Sequence, residues 1–176
     1  MTNEPGWKTW WEQQFPDSPP VSFLLRQLYG ERWLRIHSLP SSKRYAESEL
    51  EYEELVRRHN IVATETLVEG SACYLIHGFP VEETEENIWY EILREYLADS
   101  VTLQFDATEI VWKSGVIDQL ILDVADDRTD YVLIVARDSK RIYAPYDGGA
   151  DLFFADEQER NKRKEAYQEW LPSLPE

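Results

Sequence analysis

Apolar positions along this chain change their spacing several times, and each change marks an element. Trp7, Trp10, Trp11 and Phe15 recur on one helical face, so a short helix is predicted over residues 3–15, capped by Asn3 with Pro5 in its first turn. The segment "PDSPP" at 16–20 breaks it. Val21, Leu24, Leu25 and Leu28 resume the helical spacing until Gly30. Residues 32–38 switch to a period of two. Leu34 and Ile36 point one way and Trp33, Arg35 and His37 the other, as in a strand. A punctuated loop, "HSLPSSKRY", follows. The next helix is predicted over 47–60, with Ser48 and Glu51 at capping-box spacing. Glu53–Arg57 and Glu54–Arg58 are its i,i+4 pairs, worth about 0.3–0.5 kcal/mol each.

The second half repeats these signals. Residues 72–79 read as a strand. Thr84 can cap a helix in which Trp89, Ile92, Leu93, Tyr96 and Leu97 form the apolar face. Val101, Leu103 and Phe105 alternate with Thr102 and Gln104, giving another strand. Over 115–125, Ile117, Leu120, Ile121 and Val124 match helical spacing, with Ser114 as a cap. "YVLIVA" at 131–136 is apolar on both faces and reads as a central strand. "RIYAPY" and "ADLFF" continue as strands around "DGG", a pair suited to a type I′ turn with positive φ. Asp156 and Glu159 open a last helix, about 157–171. Together these elements predict an α+β fold: a single, mostly antiparallel sheet of about five or six strands, with helices packed largely on one face. Residues 1–176 are expected to form one domain, with 1–20 as a helical and Pro-rich appendage.

Composition narrows the chemistry. With 34 acidic and 18 basic residues the formal net charge is -16, which argues against binding a nucleic-acid backbone or an anionic membrane. The N-terminus lacks the basic and apolar regions of a secretory signal, and the expected location is cytoplasmic. The single cysteine, Cys73, sits in an apolar strand and reads as inert packing. Phosphate-loop, dinucleotide, zinc-protease, CxxC and GxSxG patterns are all missing, so no cofactor is implied.

One stretch runs against the acidic average. "RWLRIHSLPSSKRY", residues 32–45, carries four cations and no carboxylate. Arg35, Ser41, Ser42, Lys43 and Arg44 could hold an anion, with His37 as an acid–base group. The competing use is internal: Lys43 and Arg44 can pair with Glu47, Glu49, Glu51 and Glu53 of the following helix. A weaker candidate is Asp147 with Asp151, which could contribute oxygen ligands to a cation, although a tight turn explains Asp147 without one.

The segments "RIHSLPSSKRYAE", "PYDGGADLFF" and "YQEWLPSLPE" resemble an uncharacterised bacterial protein family with HSLPxSKRY-like and PYDGGAD-like motifs. The resemblance runs from about Arg32 to Leu171. It implies one intracellular domain and carries over no catalytic residue. Two functions remain open. The first is a non-enzymatic acidic accessory module that binds a basic protein, antidote-like in character. The second is an enzyme or binder of a small phosphate- or carboxylate-bearing ligand at loop 35–45.

Overall fold

In the computed structural model, residues 6–81, 90–94 and 99–173 are described. The chain folds as α1 (Trp7–Gln14), α2 (Ser22–Leu28), β1 (Trp33–His37), α3 (Glu49–Leu67), β2 (Ala72–Val81), β3 (Tyr90–Arg94), β4 (Asp99–Val111), α4 (Asp118–Ala125), β5 (Val132–Ala136), β6 (Ile142–Tyr146), β7 (Gly149–Phe153) and α5 (Glu157–Ala166). The seven strands form one sheet in the order β1-β7-β6-β5-β2-β4-β3, and every neighbouring pair is antiparallel. This is the expected α+β class. The all-apolar β5 lies in mid-sheet and is buried at all five positions.

Alternation of side chains gives the sheet two apolar faces. Ile36, Cys73, Ile134, Tyr143 and Leu152 face α3 and α4, with Leu55, Val62, Leu67 and Ile121 as the helical counterparts. Tyr74, Ile76, Phe105, Leu133 and Phe153 form the other face, against Trp11, Phe15 and Leu25 of the N-terminal segments. The longest helix thus covers one side and two short helices the other. The N-terminal segment, expected to be an appendage, is built into this second core. Trp11 is fully buried, stacks on Phe15 at 4.4 Å between ring centroids and donates from its indole N–H to the Ser18 carbonyl at 2.8 Å. Trp10 meets Tyr74 of β2 edge-on at 5.3 Å. The proposed caps Asn3 and Pro5 lie outside the described residues.

Two helix readings change. α3 does not stop at 60 but runs for 19 residues to Leu67, because Leu55, His59, Val62, Ala63, Thr66 and Leu67 continue one buried stripe. Ser48 caps it by accepting from the Glu51 N–H at 3.3 Å. Arg57 and Arg58 both bind Glu54, so Glu53 is left facing solvent. The helix predicted around Ile92 and Leu93 is, over Tyr90–Arg94, the edge strand β3. It pairs with β4 from Tyr90↔Leu103 to Arg94↔Asp99. A short apolar run satisfies both periods, and the ladder offered by the adjacent β4 overrides the helical spacing. The remainder of that predicted helix, with Thr84, Trp89, Tyr96 and Leu97, lies outside the described residues.

The β6–β7 turn also departs from expectation. None of Asp147, Gly148 and Gly149 takes a positive φ. Gly149 is needed for proximity: a Cβ there would stand 1.9 Å from the Ile36 carbonyl oxygen of β1. α5 begins as expected, with the Asp156 carboxylate accepting from the Glu159 N–H at 2.8 Å, but ends at Ala166 before a single 3₁₀ turn over Gln168–Trp170.

Because α1 belongs to the core, Trp11→Ala is expected to cost about 3–5 kcal/mol, the usual range for truncating a buried large aromatic side chain. Urea unfolding monitored by far-UV circular dichroism measures this. A loss below about 1 kcal/mol would instead mark the helix as a dispensable attachment.

Candidate functional site

Strand β1 sends Leu34 and Ile36 into the α3 side of the core and carries Trp33, Arg35 and His37 on its other face. Arg35 lies opposite Asp151 of β7 in the ladder. Its guanidinium grips that carboxylate through two parallel bonds, Nε to Oδ1 at 2.8 Å and Nη2 to Oδ2 at 3.0 Å. The Trp33 indole N–H donates to Oδ1 at 2.8 Å, and the Ser22 hydroxyl of α2 donates to Oδ2. Asp151 is only 3% exposed, so these donors replace the water that a buried carboxylate would otherwise demand. The Arg35 guanidinium also lies 4.5 Å from the Tyr146 ring centroid. A cavity of about 190 Å³ opens beside it, lined in part by Ser22, Phe23, Arg35, Tyr131, Tyr146 and Asp151.

The other cations of the basic stretch diverge. Lys43 binds Glu47 at 2.8 Å and both oxygens of Glu51 at 2.8 and 2.9 Å. The ammonium, together with the Glu47 backbone N–H, holds the Glu51 carboxyl below its ordinary range. Arg44 forms a two-bond pair with Asp147 at 2.7 and 2.8 Å, and the Tyr45 hydroxyl adds a third donor at 2.8 Å. Burial pushes the Asp147 carboxyl upward, but the bonds from Arg44 and Tyr45 outweigh it and the net shift is down. Ser41 and Ser42 take left-handed backbone at φ 55° and 56°. The Ser42 hydroxyl meets Ser173 near the C-terminus at 3.0 Å. The His37 carbonyl accepts from Arg58 at 3.3 Å.

Arg35, Lys43 and Arg44 therefore close on separate carboxylates of the same chain, Lys43 on two of them. Asp147 and Asp151, weighed above as cation ligands, each have a guanidinium across both oxygens. Among the described residues no group of three or more His, Cys, Asp or Glu side chains is placed to hold a metal ion. None of the described helices is long and apolar enough to cross a membrane.

Sequence reasoning missed a buried polar chain. His59 of α3 is 1% exposed and bridges the Ser38 hydroxyl, 2.8 Å from Nε2, and the Tyr143 hydroxyl, 2.7 Å from Nδ1. With the helix taken to end at 60, His59 reads as a terminal residue suited to positive charge. In mid-helix, facing the sheet, burial instead drives its pKa down to about 3 and pushes the Tyr143 phenol well above its ordinary value. The signal was available: His59 lies between Leu55 and the Val62–Ala63 pair on the apolar stripe. His77, inside β2, sits 2.6 Å from the Thr129 hydroxyl, and burial lowers its pKa against the pull of nearby Asp130 and Asp106.

This chain of bonds sets a pH dependence. The folded state keeps His59 neutral, whereas the unfolded state takes up a proton below about pH 6.5. Stability is therefore fully present above that pH and falls as pH drops towards 3, by about 1.4 kcal/mol per unit for this group. Urea unfolding is expected to show a loss of roughly 2 kcal/mol between pH 7 and 5 from His59. His59→Gln should flatten the slope, even if it lowers the plateau. An unchanged slope would mean that His59 is not buried neutral.

Residues 21–175 match the model of a family described as "Domain of unknown function (DUF3885)". No curated protein and no solved structure matches the chain. The matched span runs from α2 to the C-terminal segment and contains the Arg35–Asp151 and Arg44–Asp147 pairs as well as the buried His59. The chain thus belongs to the DUF3885 family, whose function is unknown.

Proposed function

We propose that this chain is a non-enzymatic accessory module that binds a basic protein, acting as an antidote-like neutraliser of its partner's charge. The observation that carries this reading is the internal use of the cations in the basic stretch. Lys43, Arg44 and Arg35 are held by Glu47 and Glu51, by Asp147 and by Asp151 respectively. Meanwhile Glu49, Glu53, Asp127, Asp138, Glu165 and Glu169 face solvent. A surface of this sign steers a cationic partner inward and disfavours anions.

The competing reading, capture of a small phosphate or carboxylate by loop 35–45, requires the guest to displace Asp147 from Arg44 or Glu51 from Lys43. Those carboxylates are tethered to the same fold and so act at high effective concentration. The pairs around Arg44 and Lys43 are also divided between the β6–β7 turn and the start of α3, and do not form one basket.

Affinity capture on the immobilised chain from lysate of its source cells, followed by reconstitution with the purified candidate, tests the proposal. The expected result is a stoichiometric complex with a protein of high isoelectric point, whose association rate falls steeply as salt rises from about 50 to 500 mM. Absence of any stoichiometric partner, together with a rise in Tm on adding inorganic phosphate that Lys43→Ala/Arg44→Ala removes, would favour the small-anion reading instead.

A further inference from the structure

The cavity beside the Arg35–Asp151 pair is walled by the start of α2, by β1, by the residues entering β5, and by β6 and β7. Three rings, Phe23, Tyr131 and Tyr146, line it together with the apolar side chains of Val21, Val132 and Pro145. Its volume is about 190 Å³. An apolar protein cavity of about 150 Å³ is enough to hold benzene, so there is room here for one substituted aromatic ring.

The charges in the wall answer one another. The Asp151 carboxylate has four lone-pair directions, and four donors fill them. The Trp33 indole and Arg35 Nε lie on Oδ1; the Ser22 hydroxyl and Arg35 Nη2 lie on Oδ2. Asp151 thus keeps no acceptor site for a guest. The face of Tyr146 already carries a cation, the Arg35 guanidinium 4.5 Å from the ring centroid. The remaining charged group of the lining is Asp130, an exposed carboxylate that accepts from the Tyr131 N–H at 2.7 Å. An anionic guest therefore meets net negative charge, and a cationic guest meets Arg35. A neutral guest meets neither objection. Ser22 refines the choice: its one hydroxyl hydrogen goes to Asp151, so the group can only accept from a guest.

Tyr131 is held in an unusual conformation at this wall. Its φ is 55°, in the left-handed region where a bulky residue is strained and Gly or Asn is at ease. Its N–H bond to Asp130 and the Gly78 N–H on its carbonyl at 3.0 Å fix it from both sides. Strained backbone of this kind gathers at ligand sites, and the side chain it positions here is a half-buried ring facing the cavity.

We propose that this cavity binds a neutral small aromatic molecule bearing one O–H or N–H donor, a phenol or an indole. Its ring packs against Phe23 and Tyr131 and its donor bonds the Ser22 hydroxyl oxygen. The inference goes beyond the accessory-module reading and does not rest on it.

Phenol is the probe, titrated into the isotope-labelled full chain and followed by amide chemical shifts; toluene, benzoate and benzylammonium are its counterparts of similar size. Phenol is expected to saturate with a Kd of about 1 mM or below, moving the amides of Ser22, Tyr131 and Tyr146. It is expected to bind about tenfold or more tighter than either charged counterpart, and about threefold or more tighter than toluene. Tyr131→Asn accepts the left-handed backbone but removes the ring, and should weaken phenol about fivefold or more with Tm not lowered. If that variant does lower Tm, Phe23→Leu replaces it, with an expected loss of about threefold or more. Benzoate or toluene binding as tightly as phenol would overturn the proposal. So would shifts that do not saturate by about 10 mM, or an affinity for phenol unchanged by the wall variants.

Discussion

Burying the Asp151 carboxylate in β7 is the constraint around which one side of the sheet is organised. A charge removed from water must be met by donors, and here they come from two elements: Arg35 and Trp33 of β1 and Ser22 of α2. Removing one partner of such a pair typically costs about 3–5 kcal/mol, because the survivor stays buried without compensation. The arrangement therefore acts as a register mark. β1 can pair with β7 in only one alignment that puts Arg35 opposite Asp151, and the same alignment brings the Ile36 carbonyl against Gly149, where a side chain would not fit.

The same economy governs the basic stretch. Three of the four cations gathered there, Arg35, Lys43 and Arg44, turn to Asp151, to Glu47 and Glu51, and to Asp147, and the last pair ties the loop between β1 and α3 to the β6–β7 turn. These pairs differ in worth. The Arg35–Asp151 pair is buried and structural, whereas the Lys43 pairs are solvent-screened and contribute little to stability. Their combined effect is on sign: the anions left over define the character of the surface.

Much of the fold was legible from spacing. β1, β5, β6, β7 and the capped starts of α3 and α5 follow from alternation, helical periodicity and Ser48 or Asp156 at their caps. What spacing could not settle was depth and partner. Trp11 and Phe15 show an apolar face but not what it covers. Ile92 and Leu93 fit both a helix and a strand, and β4 decides between them. His59 falls near the predicted end of a helix that runs on to Leu67, which hides its buried place in mid-helix. The candidate residues Arg35, Lys43 and Arg44 were recognisable as unusual, while their divergence onto separate carboxylates depends on the β6–β7 turn, more than a hundred positions away.

Family membership begins at residue 21, yet the cover over Tyr74 is supplied earlier in the chain, by α1. A fragment trimmed to the matched span would keep every strand and α2 but lose α1, and with it part of the cover over one face of its own sheet. In such a fragment the aromatic ring of Tyr74 would meet water, and the bared surface would be adhesive in a way that the intact chain is not. Adhesion of such a fragment to other proteins would then report a missing helix rather than a partner.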